Sequence, residues 1–152
     1  MKKYLQKKLN NEKGMTLIEL LAVIVIIAII AAIAIPAISN IIENSRVGAI
    51  KSDALSVIQA AELAKTDTAI TLGTAGQVTV GELKANGFLD DAGSFDAVDT
   101  AYVTLSTMGI TGTGALANGL NIEFIDADRD EISAVPNGSD TGTSGVVVID
   151  RP

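Results

Sequence analysis

The stretch Lys13-Gly14-Met15-Thr16-Leu17-Ile18-Glu19-Leu20-Leu21 joins a lysine-rich N-terminal segment to a long apolar run. Glu19 is the single charged residue between Met15 and Ile42. From Leu20 to Ile38 almost every residue is Leu, Ile, Val or Ala, and a helix of that length spans about 28 Å, one hydrocarbon thickness of a bilayer. A carboxylate at that depth is costly and usually has a partner. The stretch therefore predicts a membrane-spanning helix whose one acid has a specific task.

The charges before this run predict its orientation. Only Glu12 opposes the basic residues there, which are Lys2, Lys3, Lys7, Lys8 and Lys13. Positively charged flanks stay in the cytoplasm, so we expect the N-terminus inside and the C-terminal part outside. An ordinary secretory signal peptide is the alternative, since Ala32-Ile33-Ala34 offers a cleavage site. Glu19 would then impair insertion, and a plain single-span anchor also leaves Glu19 unexplained.

Composition narrows the function classes. The chain has 152 residues, no cysteine and no histidine, so no disulfide and no Ser-His-acid triad can form. The lysine-rich segment, residues 1–14, contains five of the eleven basic and one of the eighteen acidic residues. The rest of the chain therefore has a formal net charge of −11. Because an acidic surface repels phosphate backbones, we expect no direct nucleic-acid binding. An enzyme is the least expected class, and no cofactor is required.

The second part of the apolar stretch changes its pattern. Apolar residues recur at spacings of three and four at Val47, Ile50, Ala54, Ile58 and Ala61. This spacing predicts that the helix continues to about Lys65 with one apolar stripe. The helix then has an all-apolar half, residues 15–42, and an amphipathic half, residues 43–66. Pro36 and Gly48 favour a bend or local unwinding where the halves join.

Residues 67–152 form a separate region rich in Gly, Thr, Ser, Asp and Asn. Short β-prone runs bounded by turn residues predict strands at Gln77–Val80, Ala101–Ser106, Asn121–Ile125, Glu131–Val135 and Gly145–Ile149. A helical turn is predicted at Gly81–Gly87, anchored by Phe88 and Leu89. Strands without long helices between them favour an antiparallel meander. We expect an α+β fold, in which the helix stripe covers a small antiparallel sheet.

The N-terminal stretch, through Pro36, resembles the class III signal of type IV pilins and pseudopilins. The resemblance implies that a prepilin peptidase cuts after Gly14 and methylates Met15, the new N-terminus. It places Glu19 on the glutamate that is fifth in the mature chain of this family and Pro36 on the helix-kinking proline. The family most often has Phe after the cut, so Met15 is a departure that it tolerates.

The resemblance implies a structural role, that of major pilin in a homopolymeric type IV pilus filament. The partners it implies are the prepilin peptidase, an assembly ATPase, a platform protein and the membrane that holds the precursor before the filament forms outside the cell. The missing cysteines and the lysine-rich leader favour a Gram-positive source. A major pseudopilin of a type II secretion or competence (DNA-uptake) apparatus is the alternative within the family. A membrane-anchored surface binding module is the alternative from another class, and adhesion, motility, DNA uptake and secretion all stay open.

The residues of the motif give assembly a physical basis. Cleavage after Gly14 creates a free amine at Met15, four residues before Glu19. Because an unpaired carboxylate in the membrane is strongly penalised, we expect Glu19 to pair with the amine of an adjacent subunit. One such pair per added subunit would set the axial register, and the amine does not exist before the cut.

An acidic stretch, Asp126-Ala127-Asp128-Arg129-Asp130-Glu131, is a second candidate site. Alternating carboxylates in a turn can gather oxygen ligands around Ca²⁺. The candidate ligands are Asp126, Asp128, Asp130 and Glu131, although Glu131 stands where such loops carry glycine. A solvated acidic turn between two strands is the alternative.

Asn137-Gly138-Ser139 matches a glycosylation sequon. Asn-Gly is also a common turn dipeptide, because both residues tolerate left-handed backbone conformations. A turn is the simpler interpretation of this tripeptide.

Overall fold

The computed structural model describes residues 2–67, 76–96, 100–115, 121–137 and 146–150. Within these ranges it describes side chains from Leu17 onward, except those of Val146, Val147 and Asp150. The chain separates into two compact units, Met1–Ile42 and Glu43–Pro152. Helix α1 runs from Lys2 to Thr66. The predicted helix from Met15 to about Lys65 is confirmed. It continues through Pro36 and Gly48 without a break, so the predicted local unwinding does not occur.

The unit Glu43–Pro152 contains a five-stranded sheet with strand order β1-β2-β3-β4-β5. Its elements after α1 are β1 (Gln77–Thr79), α2 (Val80–Ala85), a 3₁₀ helix (Gly93–Phe95), β2 (Tyr102–Thr104), β3 (Gly109–Ala115), β4 (Asn121–Ala127), α3 (Arg129–Ala134) and β5 (Val146–Asp150). Strands β1 to β4 form an antiparallel meander, as expected, although β3 is not among the predicted strands. Strand β5 pairs with β4 in parallel, so the sheet is mixed, with antiparallel pairs dominant.

Helix α3 explains the parallel pair. The strand predicted at Glu131–Val135 is wrong, because most of these residues lie in α3. The Asp128 carboxylate accepts hydrogen bonds from the backbone N–H groups of Asp130 and Glu131, at 2.9 and 3.0 Å, and the Glu131 carboxylate accepts one from Asp128 N–H at 2.8 Å. This reciprocal capping box starts a helix. A helix in the connection provides the crossover that parallel neighbouring strands need.

Strand β3 was not predicted, because its sequence Gly-Ile-Thr-Gly-Thr-Gly-Ala carries three glycines, which are weak strand formers. One of these glycines is required by a close approach to α1. A Cβ atom built on Gly114 would lie 2.3 Å from Cγ2 of Ile50 and 3.2 Å from Cζ of Phe95. Close packing against the helix therefore favours glycine at this position, although glycine lowers the β-strand propensity of the segment.

The apolar stripe of α1 packs onto this sheet and confirms the α+β fold. All five predicted stripe residues are buried, together with Val57, Ala60 and Ala64. The sheet contributes buried apolar residues from each strand, at Val78, Val103, Ile110, Ile122, Phe124 and Ile149. The rings of Phe95 and Phe124 lie 5.6 Å apart between centroids. As predicted, Phe88 and Leu89 pack against this core.

Gly114→Ala is expected to destabilise the unit Glu43–Pro152, because the added methyl group meets Ile50 at a distance that real contacts do not reach. Overpacking of this kind lowers the free energy of unfolding by about 1–3 kcal/mol. Gly81→Ala is the matched control, since a Cβ there has open space in helix α2, 4.0 Å from its nearest neighbour atom. Denaturant unfolding of the full-length protein in detergent measures both changes, and equal midpoints would contradict the prediction.

Candidate functional site

In the unit Met1–Ile42, the large apolar side chains of α1 that the structure describes are exposed. The exposed fraction of the large ones ranges from 44% at Ile42 to 71% at Leu17. Apolar surface on this scale marks contact with a membrane or with other proteins. Among the residues described, Leu17–Thr66 contains the one stretch that is long and apolar enough to cross a membrane. The surface of this helix is therefore the candidate functional site.

Helix α1 positions the predicted processing and assembly residues. Gly14, Met15, Glu19 and Pro36 all lie in it. Met15 and Glu19 are four residues apart, so they occupy the same face of the helix, about 6 Å apart along its axis. Pro36 lies about 26 Å further along an ideal helix and is not part of that pair. Its role, like those of Gly14 and Met15, stays a prediction.

Glu19 is exposed, as are the apolar residues that flank it. No hydrogen bond or ion pair joins its carboxylate to another side chain in the part of the chain from Leu17 onward that the structure describes. A carboxylate among apolar side chains needs a partner once water is removed. The geometry leaves the Glu19 carboxylate accessible to a group on another molecule.

The acidic stretch at the end of β4 has structural contacts. Asp126 has a left-handed backbone, with φ +50°, and its Oδ1 accepts a hydrogen bond from Thr107 Oγ1 at 2.6 Å. Its backbone N–H donates to Thr111 Oγ1 at 3.0 Å. Asp128 and Glu131 form the capping box of α3, and Asp130 is exposed in the first turn of that helix.

These carboxylates are engaged in contacts within the fold. Across the ranges that the structure describes, no three His, Cys, Asp or Glu side chains come together in a group that could hold a metal ion. The roles that the structure shows for Asp126, Asp128 and Glu131 are to fix a bulged strand end and a helix start. The calcium site stays a prediction.

Two charged residues of α1 contact the loops of the unit Glu43–Pro152. The sequence pattern does not predict these contacts. Lys51 Nζ donates hydrogen bonds to the backbone oxygen of Val135 and, at 3.2 Å, to Oδ1 of Asn137. Burial lowers the pKa of the Lys51 ammonium. Asp53 Oδ2 accepts a hydrogen bond from Ser94 N–H at 2.8 Å. These contacts fix loops that have little regular structure of their own.

Two further charged residues lie near the C-terminal end of α1. Glu62 forms an exposed ion pair with Arg129 of α3 at 2.9 Å. Lys65 Nζ donates to the backbone oxygen of Leu105, in the turn between β2 and β3, at 2.7 Å. Spacing along the helix cannot reveal these contacts, because their partners are 40 and 67 residues away in the chain.

Asp53→Ala is expected to lower the free energy of unfolding by about 1–3 kcal/mol, because it removes the acceptor of the backbone N–H of the buried Ser94. Glu62→Gln is the control, since an exposed ion pair contributes less than about 1 kcal/mol. Thermal unfolding of the two variants side by side measures the difference. A larger loss of unfolding free energy in Glu62→Gln than in Asp53→Ala would contradict the prediction.

The comparisons with known proteins identify the N-terminal segment. Residues 9–35 match the family model described as the prokaryotic N-terminal methylation motif. The chain carries a type IV pilin signal. The match confirms the resemblance and supports a pilin-like or pseudopilin-like structural protein. A search of curated proteins and a search of solved structures found no significant match.

The matched segment contains three of the four predicted processing and assembly residues of this pilin-like chain, Gly14, Met15 and Glu19, and ends one residue before Pro36. The pilin signal implies cleavage by a prepilin peptidase and polymerisation into a filament. The long apolar helix fits membrane anchoring of the precursor. The exposed helix and the signal therefore both fit the membrane-anchored precursor of a pilin-like or pseudopilin-like protein.

Proposed function

We propose that this chain is the major pilin of a type IV pilus, cut after Gly14, methylated on Met15 and polymerised through α1. The observation that carries the proposal is the exposed apolar surface of α1, which is interrupted by one acid, Glu19, inside the matched signal. Such a surface needs lipid before assembly and neighbouring copies of the same helix afterwards. An acidic exported unit with no catalytic motif is consistent with a structural subunit.

The membrane holds the precursor with its lysine-rich leader on the cytoplasmic side. Lipid is as apolar as the interior of a helix bundle, so water exclusion does not drive the transfer from membrane to filament. Helix packing and the pairing of Glu19 with the Met15 amine of an adjacent subunit supply the attraction instead. An assembly ATPase supplies the energy for extracting the subunit from the membrane, and a platform protein supplies the place where extraction occurs.

Mass spectrometry of the N-terminus of sheared surface fibres tests this function. We expect fibres whose subunits begin at N-methylated Met15, because cleavage and methylation precede polymerisation. Subunits that begin at Ile35 would show cleavage by an ordinary signal peptidase after Ala34 and would overturn the proposal.

A major pseudopilin of a secretion or competence apparatus is the second candidate, because the matched motif supports pilin-like and pseudopilin-like proteins equally. Both require the same cut and the same helix packing. Electron microscopy of cells at native expression separates them, since a pilin forms long surface filaments and a pseudopilin forms short structures within the envelope.

A further inference from the structure

Met108 is the one methionine in the unit Glu43–Pro152, since the other two, Met1 and Met15, precede this unit in the sequence. It lies in the turn between β2 and β3, where its side chain is half-buried and packs against the hydrophobic core. Its N–H donates to the backbone oxygen of Thr104 at 2.8 Å, and its backbone is left-handed, with φ +55°. Methionine rarely adopts that conformation. The turn therefore fixes a thioether at the edge of the core, where solvent reaches part of it.

The ammonium of Lys65, near the C-terminal end of α1, lies next to this sulfur. Lys65 Nζ is 4.0 Å from Met108 Sδ, and it donates a hydrogen bond to the backbone oxygen of Leu105 at 2.7 Å. An ammonium has three N–H donors, whereas a thioether sulfur is only a weak acceptor. The bond to Leu105 fixes the ammonium beside the turn and leaves it two donors. A stronger acceptor on the sulfur could therefore bind Lys65 without breaking the bond to Leu105.

Oxidation of the thioether creates such an acceptor. Sulfur attacks one oxygen of hydrogen peroxide, the O–O bond breaks, and the departing hydroxide takes the proton from the transferred oxygen. Sulfur loses two electrons, the peroxide gains them, and the products are a sulfoxide and one water. A sulfoxide oxygen at the edge of a core costs free energy unless it is hydrogen-bonded. One S–O bond and a bent hydrogen bond of ordinary length together span the 4.0 Å between Met108 Sδ and Lys65 Nζ.

We propose that Met108 is an oxidation site for hydrogen peroxide and that Lys65 donates a hydrogen bond to the sulfoxide oxygen. Methionine sulfoxide usually disrupts apolar packing, because it makes a flexible apolar side chain polar. Here the modification replaces a weak contact to sulfur with a charge-assisted hydrogen bond. That bond joins the end of α1 to the turn between β2 and β3. The unit Glu43–Pro152 is therefore expected to keep its fold after Met108 is oxidised.

Treatment of the full-length protein in detergent with hydrogen peroxide tests the proposal. Peptide-mapping mass spectrometry is expected to find one added oxygen on Met108 while the protein is folded. Thermal unfolding before and after treatment measures the effect of oxidation on stability. We expect a small decrease of the unfolding midpoint in the wild type and in Lys65→Arg, which keeps a donor, and a decrease several degrees larger in Lys65→Leu. Lys84→Leu is the matched control, because Lys84 pairs with Asp96, and its decrease is expected to equal that of the wild type.

Met108→Leu has no sulfur at this position, so its change on treatment measures the contribution of Met1 and Met15 and is subtracted. Comparing each variant with its own untreated sample also removes the effect of losing the bond from Lys65 to Leu105. A decrease in Lys65→Leu that equals the wild-type decrease would overturn the role of Lys65. A Met108 that stays unmodified until the protein unfolds would overturn the oxidation site.

Acylation of lysine amines tests the same hydrogen bond in the wild-type protein, whether or not Lys65→Leu folds. The sulfoxide gives the Lys65 ammonium a second good acceptor, so an amine-reactive acylating reagent is expected to label Lys65 several-fold more slowly after oxidation. Lys84 is the reference within the same sample, and we expect its labelling rate to stay unchanged. Equal labelling of Lys65 before and after oxidation of Met108 would overturn the hydrogen bond to the sulfoxide.

Discussion

Glu19→Ala is expected to abolish filaments while the protein still inserts into the membrane. Removing a carboxylate from an apolar span lowers the cost of insertion, which is about 2.5–3.5 kcal/mol for an acid such as Asp at the centre of a helix. The same substitution removes the partner of the Met15 amine, so an added subunit loses its axial register. Membrane fractionation measures insertion, and electron microscopy of the sheared fraction measures filaments.

Two further variants define the role of the charge. Glu19→Asp keeps the carboxylate on a side chain shorter by one methylene, and we expect fewer filaments but not their complete loss. Glu123→Gln removes an exposed acid of β4, outside the pilin signal, and we expect normal filaments. Filaments of normal number and length in Glu19→Ala would contradict the ion pair, and the apolar helix alone would then account for assembly.

The part of the fold that follows from local pattern could be predicted. Spacing alone predicts the stripe from Val47 to Ala61, because a helix that covers a sheet must bury one face. The Gly and Asn-Gly boundaries predict helix α2. The processing motif was also readable, because it is a contiguous segment whose meaning does not depend on tertiary contacts.

The two errors in the sheet region have different causes, a tertiary contact at β3 and a local signal at α3. Strand β3 has a low β-strand propensity, in part because the close packing of Ile50 requires glycine at position 114. Ile132 and Val135 give the segment Glu131–Val135 the pattern of a strand, but the capping box of Asp128 and Glu131 starts a helix there. The sequence contains this capping box, but its carboxylates also fit the spacing of calcium ligands.

The polar contacts of α1 could not be predicted at all. Lys51 meets Asn137 across 86 residues, and Asp53 meets Ser94 across 41 residues. A single sequence contains no signal that joins such distant positions. The proposed assembly site differs, because both halves of the proposed pair, Met15 and Glu19, lie four residues apart within one contiguous motif.

Gly14→Val is expected to keep the protein in the membrane as a precursor that retains residues 1–14. A β-branched side chain at the cut blocks the prepilin peptidase, so no amine forms at Met15 and no filaments assemble. Immunoblotting detects the longer species, and mass spectrometry confirms the intact leader. Lys8→Gln is the control, since it changes the leader without touching the cut, and we expect it to be processed.

Gly14→Val and Glu19→Ala therefore fail at different steps, and mixing each with wild-type protein distinguishes them. Glu19→Ala subunits are processed and still offer an amine to the Glu19 of a neighbour, so some are expected in mixed filaments. Gly14→Val subunits keep Glu19 but have no amine, and their lysine-rich leader holds them at the cytoplasmic face. They are expected to be absent from the same filaments. Gly14→Val subunits inside sheared fibres would mean that cleavage is not what permits assembly, and the pairing of Glu19 with a new N-terminus would have to be abandoned.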